Sequence, residues 1–364
     1  MDKISWASPS FWGNEKKYVN NVLDSLWISG GEYINNLENS FAELYNKKYA
    51  LTTSNGTTSL HLIYLALGLK PGDEIIVPGF AFLAAANIAT QMNIKPVFVD
   101  VDPDTWCVTD EDIYKKITKR TKAIVPIHTY GNVCEMQKII NISEQFNIPI
   151  IEDCAESLFS KINNRYSGTF GKINSFSFQA TKTITTGEGG MVMTDDDDAY
   201  KRMILYRSHG LIERGKYWHE VPGHNFRLTN LQAALGFAQF EKKDNIIDAR
   251  KNLYNKYKQN LAQNSGVKLQ SFNSNVDPVV WATAIQLDNS AYPQGRDQVI
   301  QELKYQGIET RPGFVASSLL KLYDEHKLNV AEHLSNCVIS LPSSPVLSDE
   351  QITHICSLLQ KLKK

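Results

Sequence analysis

Lys182 stands in the run Asn174-Ser-Phe-Ser-Phe-Gln-Ala-Thr-Lys182-Thr-Ile-Thr-Thr-Gly-Glu-Gly-Gly190, between a segment that alternates polar and apolar residues and a glycine-dense turn. That is how a Schiff-base lysine is presented. An imine forms from a neutral amine, so such a lysine belongs in a dry, crowded pocket where desolvation disfavours the ammonium. Asp153 closes the apolar run Ile148-Pro-Ile-Ile-Glu-Asp153-Cys-Ala-Glu156, which reads as a buried parallel strand ending in carboxylates. Open α/β sheets bind ligands outside the carboxyl ends of their strands, which is where Asp153 falls. Lysine and aspartate so placed suit pyridoxal phosphate: the acid keeps the pyridine nitrogen protonated, and the ring can then draw electrons from a substrate carbanion. Read singly, Lys182 is a surface charge and Asp153 a turn cap; the pairing argues for chemistry.

A third element is Thr52-Thr-Ser-Asn-Gly56-Thr57-Thr58-Ser-Leu-His-Leu, which passes from a strand into a helix patterned Leu60, Ile63, Leu65, Leu67. Backbone N–H groups and hydroxyls at a helix start, with the helix dipole, form a phosphate cup; a plain N-cap has the same composition. Neither GxxxxGK[ST] nor GxGxxG after a strand is present, which argues against a nucleotide hydrolase or a standard dinucleotide fold.

The elements that must position these groups alternate. Strands are expected at Tyr49–Thr53, Glu74–Val77, Lys95–Val101, Ala123–His128 and Ile148–Glu152, with helices from Thr57 and near Leu83–Met92, Glu111–Ile117 and Glu135–Phe146. Consecutive βα units imply an α/β fold with a mostly parallel sheet wrapped by helices. Residues 174 to 194 add two shorter strands around Lys182. A long helical stretch from Thr229 to about Asn260 leads into a smaller α+β region, with a strand at Val279–Gln286, a helix at Gln298–Gln306 and a closing helix at Asp349–Leu362. The expected division is a large cofactor-binding domain over residues 10–245 and a small C-terminal domain over 246–364 that also takes in 1–9.

The 364 residues are 42% hydrophobic and 21% charged with a net charge of −1, so there is no basic footprint for nucleic acid and no polybasic membrane patch. Lys115–Lys122 reads as a solvated helix end, and Asp195–Asp198 as a helix N-terminus rather than a cation site. Five cysteines without CxxC spacing indicate neither a disulfide framework nor zinc, and no metal is expected. The opening Met-Asp-Lys-Ile-Ser-Trp lacks a basic region followed by an apolar core, so a cytoplasmic address is expected.

Together, Ser-Asn-Gly56-Thr57-Thr58-Ser-Leu-His-Leu, Pro71-Gly-Asp-Glu-Ile-Ile-Val-Pro78, Glu152-Asp-Cys-Ala-Glu156, Ser175-Phe-Ser-Phe…Lys182…Gly187-Glu-Gly-Gly190 and Gly223-His-Asn225-Phe-Arg227-Leu-Thr-Asn resemble the DegT/DnrJ/EryC1/StrS family of sugar-nucleotide aminotransferases. The resemblance runs in order from about residue 8 to residue 312. It implies a fold type I aminotransferase, a homodimer with shared active sites and pyridoxal 5'-phosphate as cofactor. By the same likeness, Lys182 forms the Schiff base and moves the proton, Asp153 pairs with the pyridinium nitrogen, Glu156 lies beside the ring hydroxyl and Phe82 stacks on the ring. Gly56, Thr57, Thr58 and Ser177 match the phosphate contacts, and Asn225 matches a residue that reaches the partner subunit's phosphate. Arg311 is a substrate-binding candidate, since guanidinium matches phosphate geometry, and a surface ion pair is its other reading. Phe82 as core, Asn225 as a turn residue and His128 as either substrate contact or structural histidine stay open.

The implied reaction moves an amino group from glutamate to a nucleotide-linked 4-keto-6-deoxysugar, with GDP-4-keto-6-deoxymannose favoured and an O-antigen or related glycan as destination. A dTDP- or UDP-linked sugar is the alternative, and a non-catalytic cofactor-binding regulator the rival from another class. Two positions depart from the family pattern. Thr181 stands where relatives carry Asn before the lysine, and Gly313-Phe-Val-Ala-Ser-Ser-Leu-Leu320 replaces a histidine-bearing stretch.

Overall fold

The computed structural model describes residues 3–323 and 326–364. Its central sheet takes β1 (Tyr49–Thr53), β2 (Glu74–Pro78), β3 (Lys95–Val99), β4 (Thr121–Ile124) and β5 (Ile151–Asp153). After a short hairpin of β6 (Lys161–Ile162) and β7 (Arg165–Tyr166) it adds β8 (Ile173–Ser177) and β9 (Gly190–Thr194). Bridges from Ile124 to Ile150 and from Ile127 to Asp153 join β4 to β5, so the lateral order is β3-β2-β4-β5-β8-β9-β1. All run parallel save β9, which is antiparallel to β8 and β1 on its two sides.

The mostly parallel α/β sheet expected from the βα alternation is therefore what the chain builds, and the reason is visible along the strands. Every residue of β2 is buried, as a strand covered on both faces requires. On β9, Val192 joins one apolar cluster with Ile63, Ile76 and Ile124, while Met191 and Met193 join another with Leu37, Phe41 and Phe178. Successive side chains point to opposite faces, so both faces must be apolar.

A second, antiparallel sheet has the order β10 (Val267–Leu269), β12 (Ala284–Leu287), β14 (Val338–Ser340), β13 (Arg311–Pro312), while β11 (Val276–Asp277) pairs with the β6–β7 hairpin. Its own apolar cluster gathers Ile4, Leu253, Tyr257, Ile285, Val299, Ile339 and Ile355.

Two expectations differ from the observed elements. The single helical stretch from Thr229 is two helices, Asn230–Phe240 and Lys243–Leu261, because the first serves the cluster around Phe41 and the second turns Leu253, Tyr257 and Leu261 toward the second sheet. The strand expected at Val279–Gln286 is paired only over β12. Before it, Val279 N donates to Ser160 Oγ (2.9 Å) and Trp281 N to Tyr130 O (3.2 Å), so loops take the backbone groups a sheet neighbour would have used.

The first charged run is a helix end only at its start, for Thr121 and Lys122 already lie in β4. Lys115 and Lys116 close the helix Asp110–Lys116, and Asp196 Oδ1 caps Ala199 N (2.8 Å) at the start of the helix Asp197–Arg207. Among the described residues no helix is long and apolar enough to cross a membrane.

Candidate active site

The carboxyl ends of the parallel strands converge on one side of the central sheet, and the chemically suggestive residues follow them directly. Asn55 to Thr58 follow β1, Phe82 follows β2, His128 to Tyr130 follow β4, Asp153 and Glu156 lie at β5, and Ser177 to Lys182 leave β8. A ligand in that crevice meets all of these segments.

Lys182 is the centre. Its side chain is 13% exposed, with Nζ 4.0 Å from Glu156 Oε1 and 3.5 Å from the centroid of the Trp281 ring. Burial pulls the lysine pKa down against the opposing charges of Glu156 and Asp153. The same dryness pushes Glu156 up to about 7 and raises Asp153 above its ordinary value.

Asp153 is 4% exposed and takes its bonds at Oδ1, from Ala155 N (3.0 Å) and Ser175 Oγ (3.5 Å). Its Oδ2 accepts from no described residue. Glu156 Oε2 accepts from Tyr130 N (2.8 Å). Tyr130 has φ 56, a conformation that a residue with a Cβ rarely adopts, and Gly131 follows at φ 106. A Cβ on Gly131 would lie 2.5 Å from Val279 O, so only glycine lets this turn approach the Val279–Trp281 loop. The turn thus orients Glu156 through one neighbour and supports Trp281 through the other.

The neighbouring Glu152 does different work. It accepts from Gly168 N (2.7 Å), Phe170 N (2.7 Å) and Gly171 N and meets His128 Nε2 at 3.1 Å, while His128 Nδ1 faces Cys134 N at 3.2 Å. His128 is fully buried, so its structural reading holds. This saturated network fixes the end of β5 from which Asp153 projects.

At the helix Gly56–Ala66, Asn55 Oδ1 accepts from Thr58 N (2.8 Å) and Thr58 Oγ1 from Asn55 N (3.1 Å), a reciprocal cap. The Thr58 side chain is thereby committed to the cap, and the N–H groups of Gly56 and Thr57 have no intrahelical acceptor. Thr57 is exposed. A Cβ on Gly56 would lie 3.0 Å from Ser177 Cβ, so the bare helix start and the end of β8 form one small cradle. Cradle, buried carboxyl with an open oxygen, and dry lysine together fit a phosphorylated pyridine aldehyde.

Phe82 is 63% exposed, which excludes the core reading, and its ring lies 6.4 Å from Phe314 in an edge-on contact. Phe314 belongs to the divergent Gly313–Leu320 segment and stacks on Tyr130 at 5.0 Å, so the departure from the family pattern packs beside Phe82. Thr181 bonds Gln179 Oε1 through N (2.9 Å) and Oγ1 (2.7 Å) and offers its carbonyl to Trp281 Nε1 (2.8 Å).

Two candidates stand apart within one chain. Asn225 is exposed, and its Oδ1 accepts from Arg227 Nε (3.0 Å) instead of joining the lysine cluster. Arg311 is exposed, pairs with Glu309 at 2.6 Å and lies over the Trp6 ring at 5.7 Å. The residues that sequence reasoning missed are Tyr130 and Trp281. Trp281 carried one signal, a tryptophan just after Pro278-Val-Val, but the strand reading masked it.

A family model described as the DegT/DnrJ/EryC1/StrS aminotransferase family matches residues 10–360. The chain is 43% identical to a GDP-perosamine synthase of Escherichia coli O157:H7, over 99% of each chain. Among solved structures, DesI in the presence of its TDP-sugar product superposes with TM-score 0.92 at 27% identity, covering 99% of this chain and 93% of that one. A Streptococcus pneumoniae chain solved in its PLP form superposes with TM-score 0.92 at 25% identity, covering 99% of this chain and 98% of that one.

Proposed function

We propose, on the premise that the chain belongs to the DegT/DnrJ/EryC1/StrS aminotransferase family, that it carries nitrogen from glutamate to C4 of GDP-4-keto-6-deoxymannose. The chain is a PLP-dependent sugar aminotransferase of fold type I. The observation that carries the site assignment is the seat of Lys182, a desolvated amine held between Trp281 and Glu156 with Asp153 nearby. The GDP-sugar rests on the 43% identity to the E. coli GDP-perosamine synthase, which spans both chains.

In this reading the N–H groups of Gly56 and Thr57, with the hydroxyls of Thr57 and Ser177, hold the cofactor phosphate; Thr58 acts through the cap. Asp153 Oδ2 would accept from the pyridinium N–H, Glu156 would lie beside the ring hydroxyl, and Phe82 would cover a ring face. Once bound, the cofactor supplies the electron sink that lets a carbon next to the nitrogen give up its proton. Lys182 Nζ, whose pKa burial lowers, would hold the cofactor and would then hold and return that proton. Trp281 and the turn at Tyr130 keep water away from Nζ. Glutamate leaves as 2-oxoglutarate, and the ketosugar leaves with the nitrogen.

The active assembly is a homodimer, with Asn225 reaching the partner's phosphate cradle. This is supported by the exposure of Leu26, Trp27, Tyr217 and Trp218 at 67% or more, apolar surface suited to a partner. We also place the domain division at residues 10–245 and 246–364 with 1–9, supported by the second sheet's apolar cluster, whose residues all fall in 1–9 and 246–364. Glycan assembly from GDP-sugars puts the product in an O-antigen or related polymer made from cytoplasmic precursors.

Turnover on GDP-, dTDP- and UDP-linked 4-ketosugars with glutamate as donor tests the substrate. The GDP-sugar is expected to give the highest kcat/KM; a clear preference for either rival overturns that choice and leaves the amination intact. The dTDP alternative draws on one observation, the fold shared with DesI and its TDP-sugar product. A regulator without turnover would release no 2-oxoglutarate from glutamate in the presence of any ketosugar.

A further inference from the structure

Arg250 sits on the helix Lys243–Leu261 and is 4% exposed. A guanidinium that deep is costly unless a carboxylate pairs with it, yet among the described residues no ion pair includes it. Its donors go to backbone carbonyls of separate segments instead. Nη1 donates to Trp281 O (2.6 Å) and Ser343 O (3.3 Å), and Nη2 donates to Lys182 O (3.3 Å). Nε is buried without a partner.

Two of those carbonyls belong to the two residues whose side chains touch in the site. Trp281 is held a second time, from Nε1 to Thr181 O (2.8 Å), so its ring is tied to the lysine's own segment and its backbone to Arg250. The lysine amine lies over that ring. Arg250 thus clasps both the backbone that carries Lys182 and the platform on which its amine rests. A planar donor fork reaches several carbonyls at once, which a lysine at this position cannot reproduce.

We propose that Arg250 is the positioning residue of Lys182, locking the Lys182 and Trp281 backbones together and setting a fixed, unneutralised positive charge behind the amine. The proposal rests on the reading of Lys182 as the amine that captures the cofactor. Electrostatics points the same way. Burial is the larger cause of the lowered lysine pKa, and the Arg250 charge adds to it, while Glu156 and Asp153 from the end of β5 oppose it. The Tyr130 hydroxyl, which bears on Glu156, and the Tyr64 hydroxyl, which bears on Asp153, are both pushed well up by burial and stay neutral. Arg250 itself is lowered to about 10 by burial, so it remains a cation at neutral pH.

The test separates charge from hydrogen bonding in the full chain. Arg250→Gln keeps a donor and removes the charge; Arg250→Lys keeps the charge and loses most of the fork. On cofactor-free protein, brief acylation of Lys182 across a neutral-to-alkaline pH series, read by peptide mass spectrometry, gives the amine's titration midpoint. Arg250→Gln is expected to raise that midpoint by about half a pH unit or more, since a like charge has gone, and Arg250→Lys to leave it near wild type. Arg250→Lys is expected to lower kcat about tenfold through misplacement of the amine, with KM for glutamate little changed. An unmoved midpoint in a folded Arg250→Gln protein overturns the proposal, and so does wild-type kcat in Arg250→Lys, which decides the matter if the Gln variant does not fold. Failure of borohydride to fix pyridoxal phosphate on Lys182 of the wild-type protein overturns the reading of the site itself, and the proposal with it.

Discussion

Lys182 Nζ rests 3.5 Å from the centroid of the Trp281 ring, so the amine to which we assign the chemistry has an aromatic floor in place of water. Two effects of that floor oppose each other. Ring–cation attraction favours the ammonium by about 0.5–2 kcal/mol, whereas exclusion of water disfavours it by up to several pKa units. Several pKa units amount to several kcal/mol, more than the ring returns, so exclusion is the larger effect; burial is also the first cause of the lowered lysine pKa. Trp281→Ala is therefore expected to raise the lysine midpoint and slow cofactor capture at neutral pH, read as the pH dependence of borohydride-fixed pyridoxal phosphate. A midpoint that falls would show the ring attraction to be dominant.

Glu156 predicts a pH dependence of stability. Its carboxyl is raised from 4.5 to about 7 in the folded chain, mainly by burial. The folded state thus binds a proton that the unfolded state has released, and stability from this group is full below pH 4.5 and lost as pH rises through about 7. In cofactor-free protein the loss amounts to about 3 kcal/mol at most. Glu156→Gln is expected to flatten that part of the Tm-against-pH curve. Comparison with the variant isolates Glu156 from groups of opposite sign, such as Asp196, which its cap bond to Ala199 holds below its usual range. Parallel curves for the two proteins would contradict the assignment.

Gly131 predicts a backbone effect. Gly131→Ala must place a Cβ 2.5 Å from Val279 O at φ 106, and the loop that bears Trp281 has to move. Thermal or denaturant melts are expected to show a loss of about 2 kcal/mol or more, together with weaker protection of Lys182. An unchanged melt would mean that the turn can adjust elsewhere.

Asp153 predicts a catalytic loss without unfolding. Asp153→Asn keeps the acceptor toward Ala155 N but no longer holds a proton on the pyridine nitrogen. A fall in kcat of about 100-fold or more is expected, with the phosphate cradle intact and the cofactor still bound by absorbance. Near-normal kcat would remove Asp153 from the ring.

Much of this was legible in the sequence because the relevant signals are local. The strands Tyr49–Thr53 and Glu74–Val77 and the closing helix Asp349–Leu362 follow from the placing of apolar residues, and Lys182 and Asp153 from residue type beside a strand end. Tyr130, Trp281 and Arg250 were not legible, because each acts through a carbonyl or a ring face that comes into reach only when distant segments pack. The strand reading of Val279–Gln286 held only from Ala284 for the same reason: its apolar, β-branched start satisfies the pattern, but Ser160 and Tyr130 claim the backbone groups. Thr58 illustrates a subtler limit. The family likeness marks it as a phosphate contact, and the fold adds that its hydroxyl closes the helix cap.

If Lys182 holds the cofactor and moves the proton while nitrogen passes from glutamate to a nucleotide-linked ketosugar, one paired assay shows it. Wild-type protein and Lys182→Ala, each supplied with pyridoxal phosphate, glutamate and GDP-4-keto-6-deoxymannose, are followed for 2-oxoglutarate and amino sugar. The wild type is expected to form the two in equal amounts, and the variant neither, while still melting like a folded protein. Full turnover in Lys182→Ala, or 2-oxoglutarate without amino sugar in the wild type, would contradict it.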